Sequence, residues 1–139
     1  MDDRKLIKKI LEQTKTIAVV GLSPKPHRTS HSVSKNIQGK GYRIIPVYPR
    51  EETILNEKVY RSVSEIKEPI DLVVIFRKSE EVYPVVEDAV KVKPKAIWMQ
   101  QGIVNEEAAA LARDAGIDVV MDRCISLEYS YFSAGHYDG

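Results

Sequence analysis

The chain is poor in the residues that build covalent and metal cross-links: it holds one cysteine, Cys124, and three histidines, His27, His31 and His136, in 139 residues. A lone thiol has no internal disulfide partner and is poor material for a metal site. No metal site is expected. Excess charge is also lacking, with 21 Lys and Arg against 20 Asp and Glu. That balance leaves no global field to hold a nucleic-acid backbone or an anionic membrane, so any basic site must be local. No apolar run approaches the roughly 18 residues of a membrane span, and the opening "MDDRKLIKKILEQ" lacks the apolar centre of a signal peptide. A cytoplasmic protein with neither nucleic-acid nor membrane partner is expected.

What the chain does have is short apolar runs alternating with amphipathic segments, the pattern of a parallel α/β sheet. Its length suits one domain over residues 1–139, burying roughly 65 to 70% of the unfolded surface. "TIAVVG", "YRIIPVY", "DLVVIF", "AIWMQ" and "IDVVM" read as strands covered by helices on both faces, with a further, very short strand near Val59. Residues 2–13 carry Leu6, Ile7, Ile10 and Leu11 on one stripe and read as a covering helix. Further helices are expected over residues 30–40, 79–92 and 105–115. Pro84 makes the start of the second uncertain, while Asn105 is placed to cap the third, whose Ala108, Leu111, Ala112 and Ala115 should face the sheet. The expected architecture is a doubly wound parallel sheet of strand order 3-2-1-4-5-6, third strand short.

Function turns on the stretch after the first strand. A dinucleotide fingerprint would read GxGxxG there, yet the residues are Gly21, Leu22, Ser23, Pro24, Lys25 and Pro26, with only the first glycine in place. A longer turn instead brings Ser23, Lys25, His27, Arg28, Thr29 and Ser30 just ahead of a helix N-terminus, a ready anion site. A plain solvated loop with Ser30 as helix cap is the competing reading. The second strand ends on Val47, Tyr48, Pro49 and Arg50, where an NAD enzyme would place an acid for the ribose hydroxyls. A cation there suits a ribose phosphate, either the 2′-phosphate of NADP or the 3′-phosphate of coenzyme A. Glu51 and Glu52 follow, so a surface ion pair stays open as well. Phe76 and Arg77 end the strand expected beside the first, across the crevice where strand order reverses. One offers an apolar face, or simply packs in the core, and the other a cation.

These residues resemble the small stand-alone CoA-binding proteins related to the CoA-binding domain of the succinyl-CoA synthetase alpha subunit. The resemblance covers residues 14–132 and rests on "IAVVGLSPKPHRTSH", "GYRIIPVYPR", "DLVVIFR", "WMQQGIVNEEAAALARDAG" and "VVMDRC", in that order. It implies a Rossmann-like domain in which Gly21, Leu22 and Ser23 receive the pyrophosphate of coenzyme A, with Lys25, Arg28 and Ser30 nearby. It further implies that Val47, Tyr48, Pro49 and Arg50 line the adenosine 3′-phosphate end, opposite Phe76 and Arg77. Gln100, Gln101 and Gly102 are implied near the pantetheine arm. Tyr48 stands where relatives carry Asn or Ser, and "FRKS" lacks the paired prolines of the synthetase domain.

The synthetase keeps its phosphohistidine and ligase machinery outside this domain, so the resemblance implies no ligase activity by this chain alone. No YxxxK pair follows any of the seven tyrosines, and no GxSxG elbow occurs. His31 reads as a structural cap-region histidine or as a base, and Trp98 as a core residue. Cys124, at the end of the last strand beside Arg123, reads as a half-buried thiol, a partner for a CoA mixed disulfide, or a nucleophile. The expectation is therefore a coenzyme A or acyl-CoA binding protein. A small NADP-dependent reductase and a regulatory module whose CoA occupancy a protein partner senses are the alternatives.

Overall fold

In the computed structural model, which describes residues 3–138, the chain runs α1 (Asp3–Gln13), β1 (Thr16–Val20), α2 (Thr29–Gly39), β2 (Arg43–Val47), β3 (Thr53–Ile54), β4 (Glu57–Lys58), β5 (Leu72–Ile75), α3 (Val82–Val90), β6 (Ala96–Met99), α4 (Glu106–Asp114), β7 (Asp118–Val120) and α5 (Ile125–Ser133). Residues 1, 2 and 139, which the expected first helix and the expected domain take in at their ends, lie outside the described residues.

Five strands pair in parallel in the order β2-β1-β5-β6-β7. Pleating sends Ile17, Val19, Leu72, Val74 and Trp98 to one face, where they pack on Ile7, Ile10 and Leu11 of α1, Val33 and Ile37 of α2, and Ile125 of α5. Ala18, Val20, Val73, Ile75, Ile97 and Met99 point the other way, onto Val82, Val86 and Ala89 of α3 and Ala108, Ala109 and Ala112 of α4. Both faces are covered, which is why these strands read as continuous apolar runs rather than alternating ones. The doubly wound Rossmann-like fold is as expected.

The expected third strand shrinks to one parallel bridge between Val47 and Tyr60. It is held by Tyr60 N–H donating to Pro46 O (3.0 Å) and Tyr48 N–H donating to Tyr60 O (3.0 Å). The intervening chain instead makes an antiparallel hairpin of β3 and β4, whose turn residues Leu55 and Asn56 take φ of 54° and 63°, the signs a two-residue type I′ turn needs. The helix expected over 79–92 opens as a 3-10 turn, Ser79–Glu81, before α3 proper. Pro84 thus falls in the first turn of α3, where its missing N–H leaves no bond unmade. Asn105 caps α4 as expected, its side-chain oxygen accepting from Ala108 N–H at 2.9 Å. Ala115, by contrast, is the exposed residue after that helix, and Ala109 faces the core in its place.

Helix α5 was not anticipated. Its first N–H, from Ile125, donates to Gln100 Oε1 at 2.8 Å, and Tyr129 stands edge-on to both Tyr42 and Phe132, with ring centroids 5.7 and 5.9 Å apart. Tyr42 also donates its hydroxyl to Leu11 O (2.8 Å), and burial beside Tyr129 pushes its pKa up to about 12. The tail folds back over this face: Tyr137 donates to Glu128 Oε1, and burial together with that carboxylate raises its pKa to about 12.

Asp71, just before β5, joins the amino ends of two strands by accepting from Lys15 N–H and Thr16 N–H, each at 2.9 Å, with Lys95 Nζ 3.5 Å away. Burial works to raise its pKa, but the two N–H donors and the Lys95 ammonium outweigh it and hold the carboxyl below its ordinary 3.8. A folded-state pKa lying below the unfolded one means the contribution is present above the unfolded pKa and lost as pH falls through the folded value. Asp71→Asn should therefore cost about 1 kcal/mol at neutral pH, with the deficit shrinking below about pH 4. Urea melts at several pH values check this; a deficit independent of pH would assign the loss to packing.

Candidate functional site

Helices α2 and α3 leave the sheet on opposite faces, so a crevice opens at the carboxyl ends of β1 and β5, where strand order reverses. Three segments meet there. Gly21 ends β1 with φ +86°, and its N–H donates to Val47 O at 2.9 Å. An added Cβ would stand 2.3 Å from Phe76 O, so only glycine lets the turn lie this close to the chain leaving β5.

Beyond Gly21 the loop is bound to the start of α2. Ser23 N–H donates to Ser30 Oγ (3.0 Å), Lys25 N–H donates to Ser23 Oγ (3.1 Å), and His31 Nδ1 lies 2.8 Å from Ser23 O. With a carbonyl as its partner, Nδ1 carries the proton, so His31 serves here as a structural donor. Ser30 ties the loop rather than capping the helix. The cap position is Arg28, extended and without a side-chain cap bond; His31 N–H donates to Arg28 O at 3.1 Å, while the Thr29 and Ser30 N–H groups ahead of it have no acceptor within the helix. Both serine hydroxyls are used as acceptors, which leaves each O–H to donate outward.

The result is a cleft of about 1040 Å³. It gathers Gly21, Ser23, Lys25, Arg28 and Ser30 from the first segment, Tyr48, Pro49 and Arg50 from the second, and Phe76 and Arg77 from the third. Five cations, Lys25, Arg28, Arg50, Arg77 and Lys78, face one carboxylate, Glu51, across it. The whole chain carries a net charge of only +1, so this is the local basic site that global composition left room for. Arg50 lies over the Tyr48 ring, 6.0 Å from its centroid, and Arg77 Nε is 3.5 Å from Glu81 Oε1. A second cavity of about 520 Å³ lies on the α3 side, walled by Val47, Val63 and Val85, and shares Gly21, Tyr48, Pro49 and Arg77 with the cleft.

The remaining sequence candidates lie elsewhere. Leu22 is fully buried in the core under α2, so only its backbone belongs to the turn. Val47 lines the smaller cavity and not the cleft. Gln100 is buried and holds the start of α5, while Gln101 and Gly102 are exposed outside the lining, Gly102 N–H donating to Asp122 Oδ1 at 2.6 Å. Cys124 is half-buried, occupies the cap position of α5 and is also absent from the lining. Trp98 is wholly buried, donating Nε1–H to Arg123 O at 2.8 Å. The cleft adds Lys78 and Ile103, which sequence reasoning missed. Lys78, directly after Arg77, was legible as a second cation at the same strand end; Ile103 carried no signal. No helix among the described residues is long and apolar enough to cross a membrane.

The sequence pattern of the family described as CoA binding domain matches residues 15–130. The protein YneT of Bacillus subtilis is 47% identical over 124 residues, covering 89% of this chain and 92% of its own. A solved structure of a hypothetical protein from Pyrococcus horikoshii superposes with a TM-score of 0.90 at 37% identity, over 94% of this chain and 92% of that one. The 4-hydroxybutyrate–CoA ligase (ADP-forming) of Nitrosopumilus maritimus is 35% identical over 125 residues, taking in 81% of this chain but only 18% of the ligase.

Proposed function

Because this chain belongs to the CoA binding domain family, we propose that it binds coenzyme A or an acyl-CoA in the carboxyl-edge cleft, as a binding protein without ligase activity of its own. The observation that carries the reading is the concentration of five cations along one cleft in a chain of nearly balanced charge. Coenzyme A presents a pyrophosphate and a 3′-phosphate, two anionic groups carried on the 5′ and 3′ carbons of one ribose. The cleft lining offers two sets of donors to match. In one, the Gly21 turn, Ser23, Lys25, Arg28 and the Thr29 and Ser30 N–H groups suit the pyrophosphate. In the other, Arg50 suits the 3′-phosphate.

The match takes in only 18% of the 4-hydroxybutyrate–CoA ligase, so the reading carries over to this chain the binding of CoA and not that enzyme's ligation. The test is a thermal titration of the protein with CoA, acetyl-CoA, 3′-dephospho-CoA and NADP at equal concentrations. CoA at about 100 times its dissociation constant adds roughly 2.7 kcal/mol, a rise of roughly 10 °C for a domain of this size. CoA and acetyl-CoA are expected to stabilise, with dephospho-CoA and NADP well behind. A larger shift with NADP would turn the assignment to a nicotinamide nucleotide.

A further inference from the structure

The single bridge that remains of the third strand ends on Tyr60, and the next residue, Arg61, reaches back under the turn that follows β2. Its Nη1 shares its two N–H groups among three carbonyl oxygens of that turn: Tyr48 O at 3.1 Å, Arg50 O at 3.0 Å and Glu51 O at 2.9 Å. The turn needs such a fixture. Glu51 adopts φ +71°, a left-handed conformation that a residue with a side chain keeps only when its surroundings hold it there. The neighbouring bridge bonds reach Pro46 and Tyr48 but not residues 50 and 51. Arg61 lines the 520 Å³ cavity and is absent from the lining of the large cleft, so it stands behind the turn.

We infer that Arg61 is a positioning residue for ligand recognition: by binding the carbonyls of Tyr48, Arg50 and Glu51 it fixes the direction in which Arg50 meets a ribose phosphate. The inference rests on the coenzyme A reading above. It assigns to Arg61 no contact with the ligand. Selectivity for the 3′-phosphate then depends on a side chain that reads no phosphate itself, because an Arg50 on a loose turn must be ordered at the moment of binding.

The experiment compares CoA and 3′-dephospho-CoA by calorimetry in the wild type, Arg61→Ala, Arg61→Lys, Arg50→Ala and the Arg50→Ala/Arg61→Ala pair. Arg61→Ala is expected to lower the CoA to dephospho-CoA affinity ratio about tenfold, while leaving dephospho-CoA affinity nearly unchanged. Arg61→Lys, whose ammonium carries three donors, should restore part of the ratio. In the double variant the two losses should fall well short of adding, since both act on one contact. A merely structural Arg61 would weaken both ligands alike, and additive losses would mean that Arg61 acts apart from Arg50; either result overturns the inference. A wild type that binds CoA selectively while Arg61→Ala keeps that selectivity sinks this proposal alone, whereas a wild type that binds neither ligand sinks the coenzyme A reading and this proposal with it.

Discussion

Gly21→Ala should lower the melting temperature by roughly 10 °C, far more than alanine at other left-handed glycines of the chain. Two effects add at this position. A residue with a Cβ at φ +86° pays about 1 to 2 kcal/mol for the left-handed conformation. The added carbon would also stand 2.3 Å from the Phe76 carbonyl oxygen and 3.3 Å from Arg77 Cδ. Backbone cannot swing aside as a side-chain end does, so β1 and β5 must separate at their carboxyl ends, at about 1 to 3 kcal/mol more. Gly116 is the control, because its φ is +81° but nothing lies within 4 Å of the position a Cβ would take. Gly116→Ala isolates the conformational cost, so calorimetric melts showing equal losses for the two variants would remove the close approach as the reason for glycine at position 21. Gly21→Ala should also weaken CoA, since Phe76 and Arg77 shift with the strand end.

That glycine illustrates what was legible in the sequence and what was not. Its presence after "TIAVV" marks a strand-to-turn junction, and the fold follows from five apolar runs whose burial on both faces leaves few other arrangements. The neighbour across the junction was invisible: Gly21 answers the Phe76 carbonyl, 55 residues away, as much as any ligand. Side chains that serve distant backbone are opaque in the sequence for the same reason. Gln100, which the resemblance implied near the pantetheine arm, supplies the acceptor for the first N–H of α5. Ser30, read as a donor beside the phosphate site or else as a helix cap, accepts from Ser23 N–H and anchors that loop. Helix α5 itself escaped notice because Cys124 stands at its cap without a capping bond, and because Leu127 and Tyr131 are exposed and blur its apolar stripe. Arg61 gave no signal at all, since its role depends on a turn whose left-handed Glu51 no local pattern announces. Arg50 and Arg77, cations just after buried strands, were the legible part of the cleft lining, whereas Arg123 after β7 pairs with Asp3 and Glu128 outside it.

The largest effect on ligand choice is expected at Arg50. Its guanidinium is exposed at the cleft, rests over the Tyr48 ring, and has its own carbonyl held by Arg61. Cation–ring contact restrains the side chain without occupying its N–H donors, which stay free for a planar, two-pronged contact to phosphate. Such a charge-assisted contact contributes about 1.5 to 3 kcal/mol, so Arg50→Ala should weaken CoA by roughly 10- to 150-fold. Affinity for 3′-dephospho-CoA, which lacks the group Arg50 would read, should change by less than about threefold. Arg50→Lys separates charge from geometry: an ammonium keeps the attraction but loses the fork, and recovery of only part of the affinity is expected. Glu51 sharpens the comparison, being the one carboxylate among the cleft residues and adjacent to Arg50. Glu51→Gln removes a like charge facing the incoming phosphate and should tighten CoA by a few-fold, most visibly at low salt. Equal losses of CoA and dephospho-CoA in Arg50→Ala, measured by calorimetry, would place the 3′-phosphate elsewhere in the cleft, with Arg77 and Lys78 the next cations to test.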